Sequence, residues 1–126
     1  MNPVLGLIGL ARKGGKIAMG EEPTSTACRM CKACAVFTAS DAAANSVKRA
    51  SNFAELCGVG VFKLNATKEE LGAACGRSSL AMFAVEEPGL ALAVAERLSD
   101  CDEQSLEYLK EAVAFAAKKR KTRKKK

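Results

Sequence analysis

Apolar residues at Val4, Leu5, Leu7, Ile8 and Ala11 return at helical spacing, with Pro3 near the start and Gly14-Gly15 at the end. Residues three and four apart share one helical face, so this pattern predicts an amphipathic first helix. Lys16 to Met19 is a short strand candidate that Gly20 breaks, and a second helix follows from about Glu22 to Met30. Pro23 fits the first turn of that helix, where its missing N–H has no helical partner. Ala33 to Ala39 is a continuous apolar run containing Val36 and Phe37, which reads as a strand buried on both faces. Val47, Ala50, Ala54 and Cys57 form one stripe of a third helix that Gly58 stops, and Val59 to Leu64 predicts the next strand. Thr67 with Glu70 three residues on is a capping-box signature for a fourth helix ending near Gly76. Leu80 to Val85 is the fourth strand, and Pro88 opens a fifth helix through Leu98.

Strands alternating with helices at this spacing imply an α/β domain over residues 1–98, built as a three-layer α/β/α sandwich. Residues 99–117 read as an addition. Asp100, Asp102 and Glu103 make a polar joint, and Leu106, Leu109, Val113 and Phe115-Ala116 give a further amphipathic helix. Such a stripe is expected to dock on its own domain rather than in a partner's groove.

Charge changes the picture at one end only. The net charge is +6, from 20 basic and 14 acidic residues, but eight of the basic ones are Lys118, Lys119, Arg120, Lys121, Arg123, Lys124, Lys125 and Lys126. The other 117 residues carry 12 basic and 14 acidic side chains and are nearly neutral. A disordered basic tail is therefore expected at 118–126, of the kind that binds polyanions without sequence preference. No apolar run approaches the ~20 residues of a membrane span, so no membrane partner is expected. Met-Asn-Pro-Val-Leu has no basic n-region or cleavage site, which predicts a cytoplasmic protein whose six cysteines are reduced.

The chain contains no histidine, which removes histidine triads, histidine general bases and histidine-ligated zinc. It has no phosphate-loop motif and no dinucleotide-binding glycine pattern after a strand. Nothing pairs a nucleophile with a base, so a non-enzymatic protein without a cofactor is expected. Cys28, Cys31 and Cys34 form C-x-x-C-x-x-C, a spacing seen at iron–sulfur clusters, but Thr38-Ala39 stands where such runs carry a fourth cysteine and a proline. Only folding could bring Cys57 or Cys75 to the set. The predicted elements put Cys28 on the second helix, Cys31 at its end and Cys34 in the next strand, an order that favours core packing over a metal. A thiol or metal protein using these three residues stays open as an alternative.

The stretch Gly20-Glu21-Glu22 combines two opposed features. A helix start after glycine presents unsatisfied N–H groups that attract anions. Two carboxylates at the same place favour the helix through its macrodipole and repel anions.

Four segments in order carry a resemblance. Gly15-Lys16-x-x-x-Gly20, Ser40-Asp41-Ala42-Ala43, Glu70-Leu71-Gly72-Ala73-Ala74-Cys75-Gly76 and Ala84-Val85-Glu86-Glu87-Pro88-Gly89 resemble corresponding segments of the kink-turn RNA-binding ribosomal proteins, the large-subunit seven-Ae and thirty-e type. The resemblance spans about residues 3–98 and is nearest to the short bacterial members. It implies an α/β/α sandwich on a four-stranded mixed sheet, RNA as the partner, and two RNA-binding surfaces. One is the start of the second helix, typically Gly-x-Asn-Glu or Gly-x-Lys-Gln followed by a basic residue, here Gly20, Glu21 and Glu22, where Gly20 matches and Glu22, Pro23 and Thr26 depart from the pattern. The other is the loop before the last strand, here Gly76, Arg77, Ser78, Ser79 and Leu80. Lys16 and Asp41 join them by the same correspondence. The expected function is binding of structured, kinked RNA by a monomer that is ribosome-associated or ribosomal-protein-like. The alternative on this fold is a protein-interaction module whose tail makes loose nucleic-acid contact.

Overall fold

The two strands buried at every position become the centre of the sheet. In the computed structural model, which describes residues 3–98 together with 106, 107, 109–111, 113 and 114, β2 (Ala35–Thr38) and β4 (Met82–Val85) are buried at every position. The shorter β1 (Ile17–Met19) and β3 (Val61–Lys63) form the edges, in the order β1-β4-β2-β3. β4 pairs antiparallel with both β1 and β2, while β2 and β3 run parallel. The sheet is therefore mixed. The parallel pair needs a crossover, which α3 (Ala44–Cys57) provides.

Alternation along β2 and β4 divides the core. Phe37 and Phe83 point to one side and stack with ring centroids 5.3 Å apart, and Phe62 stacks on Phe37 at the same distance. α1 (Pro3–Lys13), α4 (Lys68–Ala74) and α5 (Pro88–Ala95) cover this face through Val4, Ile8, Leu71, Ala91 and Val94. Val36, Met82 and Ala84 face the other side, under Ala27 and Cys28 of α2 (Glu21–Arg29) and Ala50 and Ala54 of α3. Those small residues let both helices lie close on the sheet. The result is the three-layer α/β/α sandwich.

The element boundaries move little from the sequence reading, and each shift has a cause. The predicted stripe of α3 begins too early: Val47 is 37% exposed, while Ala50 and Ala54 are buried. α5 stops at Ala95 rather than Leu98 because Arg97 N–H and Leu98 N–H bond back to Val94 O and Ala95 O, which tightens the last turn. The described part of the added segment is helical at 106, 107, 109–111, 113 and 114. Leu109 is 1% exposed and joins the Phe37 side of the core, with Leu106 packed against it. Leu106 and Leu109 of that stripe dock on their own domain. The polar joint of Asp100, Asp102 and Glu103, the stripe residues Phe115-Ala116 and the basic tail at 118–126 lie outside the described residues.

Candidate nucleic-acid interface

Strand register gathers the predicted segments at one end of the sheet. Met19 opposes Phe83, while Thr38 opposes both Met82 and Lys63. The C-terminal ends of β1, β2 and β3 therefore meet the start of β4. Gly20 N–H donates to Met82 O at 3.0 Å, Ala39 N–H to Ala81 O at 2.9 Å and Ser40 N–H to Ala66 O at 2.8 Å. Gly20, Ser40-Asp41, the start of α4 and the approach to β4 all lie at this end.

Gly20 caps α2 with φ 96° and ψ 175°, a conformation that L side chains rarely adopt. It offers no side chain to the helix start. The buried Thr24 hydroxyl donates to Ala18 O at 3.3 Å and ties the first turn to β1. Pro23 has no N–H, and among the described residues no acceptor takes the N–H groups of Glu21 and Glu22. Two donors thus remain at the positive end of the α2 dipole. The Arg77 guanidinium stands beside them: its Nη1 lies 3.4 Å from where a Cβ on Gly20 would sit, and it donates to Met19 O at 3.5 Å.

The two carboxylates are not equivalent. Glu21 accepts two hydrogen bonds from Arg49 Nη1, at 2.8 and 3.0 Å, across the α2–α3 seam. Its charge is thereby offset, although an exposed pair of this kind adds about 1 kcal/mol at most. Arg49 had no signal in the sequence, because its pairing depends on how α3 crosses α2. Glu22 is exposed and lines two open grooves. One holds about 470 Å³ with Ala18, Thr26, Met30 and Lys32, and the other about 410 Å³ with Ser25, Arg29 and Phe53.

The loop after α4 is held from behind. Arg77 N–H donates to Gly72 O at 2.7 Å and Leu80 N–H to Lys68 O at 2.9 Å. Gly76, Arg77, Ser78 and Ser79 are exposed. Of the other expected site residues, Leu80 and Asp41 lie at this end with structural contacts of their own, and Lys16 lies away from it. Leu80 is 3% exposed and belongs to the core, so it anchors the loop and presents no side chain to a ligand. The Asp41 carboxylate accepts from Lys68 N–H at 2.8 Å and so serves the first turn of α4, beside the capping box that Thr67 and Glu70 complete. Lys16 O accepts from Glu86 N–H at the opposite end of the β1–β4 pair. Four extended residues, about 13 Å, separate it from Gly20.

The three cysteines of the run take different environments. Cys28 is buried in α2, Cys31 is exposed in a turn with φ 56°, and Cys34 is half-buried before β2. Among the described residues no group of three or more Cys, Asp or Glu side chains is placed to hold a metal ion. Burial, and next the neighbouring Cys57 thiol, push Cys28 up to about 12; burial and then Glu87 push Cys34 up to about 11. Both stay protonated near neutrality, so neither is an activated nucleophile.

A pH dependence follows from Cys28. The unfolded chain ionises this thiol near its ordinary value of 9.0, whereas the folded chain holds the proton to about 12. The stabilisation is whole below pH 9 and drains away as pH rises through this window, because the unfolded state then binds fewer protons. Urea unfolding across that range should show a decline that Cys28→Ala makes shallower, by up to about 1.4 kcal/mol per pH unit. Identical slopes for the two proteins would contradict this account.

No protein-family model matches the chain, and no curated protein does. Among solved structures it is similar to a protein of unknown function from Bacillus halodurans C, with TM-score 0.70 and 23% identity over 77% of this chain and 97% of that one. It is also similar to the 15.5kD RNA binding protein of Giardia lamblia, with TM-score 0.57 and 23% identity over 77% of this chain and 82% of that one. At this identity the likeness is one of fold, and it covers most of each solved chain.

Proposed function

We propose that this protein binds structured RNA at the sheet end formed by the start of α2 and the loop Gly76–Ser79, and that it acts by binding, without catalysis. The observation that carries the reading is the placement of the Arg77 guanidinium over the Gly20 helix start. A guanidinium beside Gly20, next to a helix start with two unbonded amides, suits a phosphate oxygen. Exposed serines and the two grooves flanking Glu22 leave room for bases splayed out of a helix, which is how single-stranded and bulged RNA is read. The fold shared with the Giardia 15.5kD RNA binding protein supports the reading, as does the resemblance to kink-turn ribosomal proteins. A kinked duplex is accordingly the preferred RNA, and association with a ribosome is the setting that the resemblance favours.

The test is a titration of the full chain against a synthetic RNA duplex kinked by an internal bulge and against the matched continuous duplex. Tighter binding to the kinked RNA is expected, and equal binding to both would remove the proposal. Glu22 refines the test. Glu22→Gln is expected to strengthen binding to both RNAs slightly, because repulsion is relieved, and to cost a few tenths of a kcal/mol of helix stability. A selective loss on the kinked RNA, about 1–3 kcal/mol if it resembles base readout in DNA, would make Glu22 a base-reading group instead.

A further inference from the structure

Arg12 belongs to none of the four segments that carry the resemblance. It lies in the last turn of α1, the element packed behind α4, and its side chain is exposed at the same loop. The Arg12 Nη2 atom sits 3.1 Å from where a Cβ on Gly76 would be, and its Cζ sits 3.4 Å away. Gly76 is thus the seat of one guanidinium, as Gly20 is the seat of the other. Both arginines pull the Cys75 thiol downward against the burial that raises it, so they flank one short stretch of backbone. Among the described residues neither is paired with a carboxylate; the ion pair found there joins Arg49 to Glu21.

We propose that Arg12 and Arg77 together form a phosphodiester clamp, with Arg12 extending the interface from the α2 start across the α4–β4 loop onto the end of α1. The clamp rests on the RNA-binding reading above and adds a contact from a residue outside the four segments that carry the resemblance. Guanidinium groups are suited to the role because each presents a planar fork of donors to phosphate oxygens. The competing role for Arg12 is structural. A cation at the C-terminal end of α4 meets the negative end of that helix dipole, and this alone would place it against Gly76.

The two roles separate on salt dependence. Each phosphate neutralised on single-stranded RNA contributes about 0.7 to the slope of log affinity against log salt, and about 0.9 on a duplex. Arg12→Ala and Arg12→Gln are measured in the full chain against the kinked duplex, with thermal unfolding of each. The clamp predicts that both variants flatten the slope by about one phosphate and weaken binding roughly three- to tenfold, with Arg12→Lys keeping most of the slope. A slope equal to that of the unaltered protein in both neutral variants, whatever their thermal midpoints, would overturn it. Arg77→Ala distinguishes the levels. If it flattens the slope while Arg12→Ala and Arg12→Gln do not, only the clamp fails; if none does, the RNA reading at this sheet end fails with it.

Discussion

Gly72→Ala is expected to lower the thermal midpoint by about 10 °C and to weaken binding of kinked RNA, although Gly72 touches no ligand. The residue is buried in the second turn of α4, and the loop that follows the helix crosses directly over it. A Cβ there would lie 2.7 Å from both Ser79 N and Ser79 Cα and 2.8 Å from Arg77 O. All three are backbone atoms, so no side chain can swing away. The loop must lift, which strains the Arg77 N–H bond to Gly72 O and the Leu80 N–H bond to Lys68 O. Overpacking of this kind costs about 1–3 kcal/mol, partly offset by the better helix propensity of alanine, about 1 kcal/mol. Broken loop hydrogen bonds add roughly 1 kcal/mol each. A net loss of about 2 kcal/mol corresponds to about 10 °C in a domain near 100 residues. Because Arg77 moves with the loop, affinity for the kinked RNA should fall even at temperatures where the variant is fully folded. Calorimetry and a titration at low temperature check both parts. An unchanged midpoint would show that the loop does not rest on Gly72.

Removal of residues 118–126 is expected to have the larger effect on total RNA affinity and almost none on discrimination. The tail holds eight of the 20 basic residues, and without it the chain carries a small net negative charge. Full engagement of eight cations on single-stranded RNA corresponds to a salt slope of about −6, at about 0.7 for each phosphate. A fourfold rise in salt would then weaken the intact protein by a few thousandfold, at about 0.7 for each phosphate. The shortened chain should bind every RNA more weakly at low salt and show a much flatter slope. Its preference for kinked over continuous duplex should stay, since the sheet end supplies that preference. An unchanged slope would mean that the tail does not engage RNA.

The fold was legible because its signals are local. Gly15, Gly20, Gly58 and Gly76 punctuate the chain, and each has positive φ in the structure. The unbroken apolar runs around Phe37 and Phe83 became the two central strands. Thr67 and Glu70 formed the capping box that their spacing announces. The candidate site was legible only in part, because it is assembled by packing. The position of Gly20 at a helix start could be read from the sequence, whereas the partnership of Arg49 with Glu21 and the seat of Arg12 against Gly76 depend on how helices cross. Lys16 joined the set through the resemblance, yet the extended strand β1 sets it at the far end of the β1–β4 pair from Gly20. Asp41 and Leu80 belong to matching segments and are spent on holding α4 and the core. Gly72 shows the reverse case: a residue that matched a pattern in sequence has its reason in the loop that lies against it.

The most direct test of the central claim is an amide chemical-shift titration of the full chain with the kinked RNA at moderate salt. The account predicts the largest shifts at the Glu21 and Glu22 amides and at Gly76, Arg77 and Ser78. Lys16, at the other end of the β1–β4 pair, should change little. Shifts confined to 118–126, or centred on the Lys16 end, would contradict the claim that the start of α2 and the loop after α4 hold the RNA.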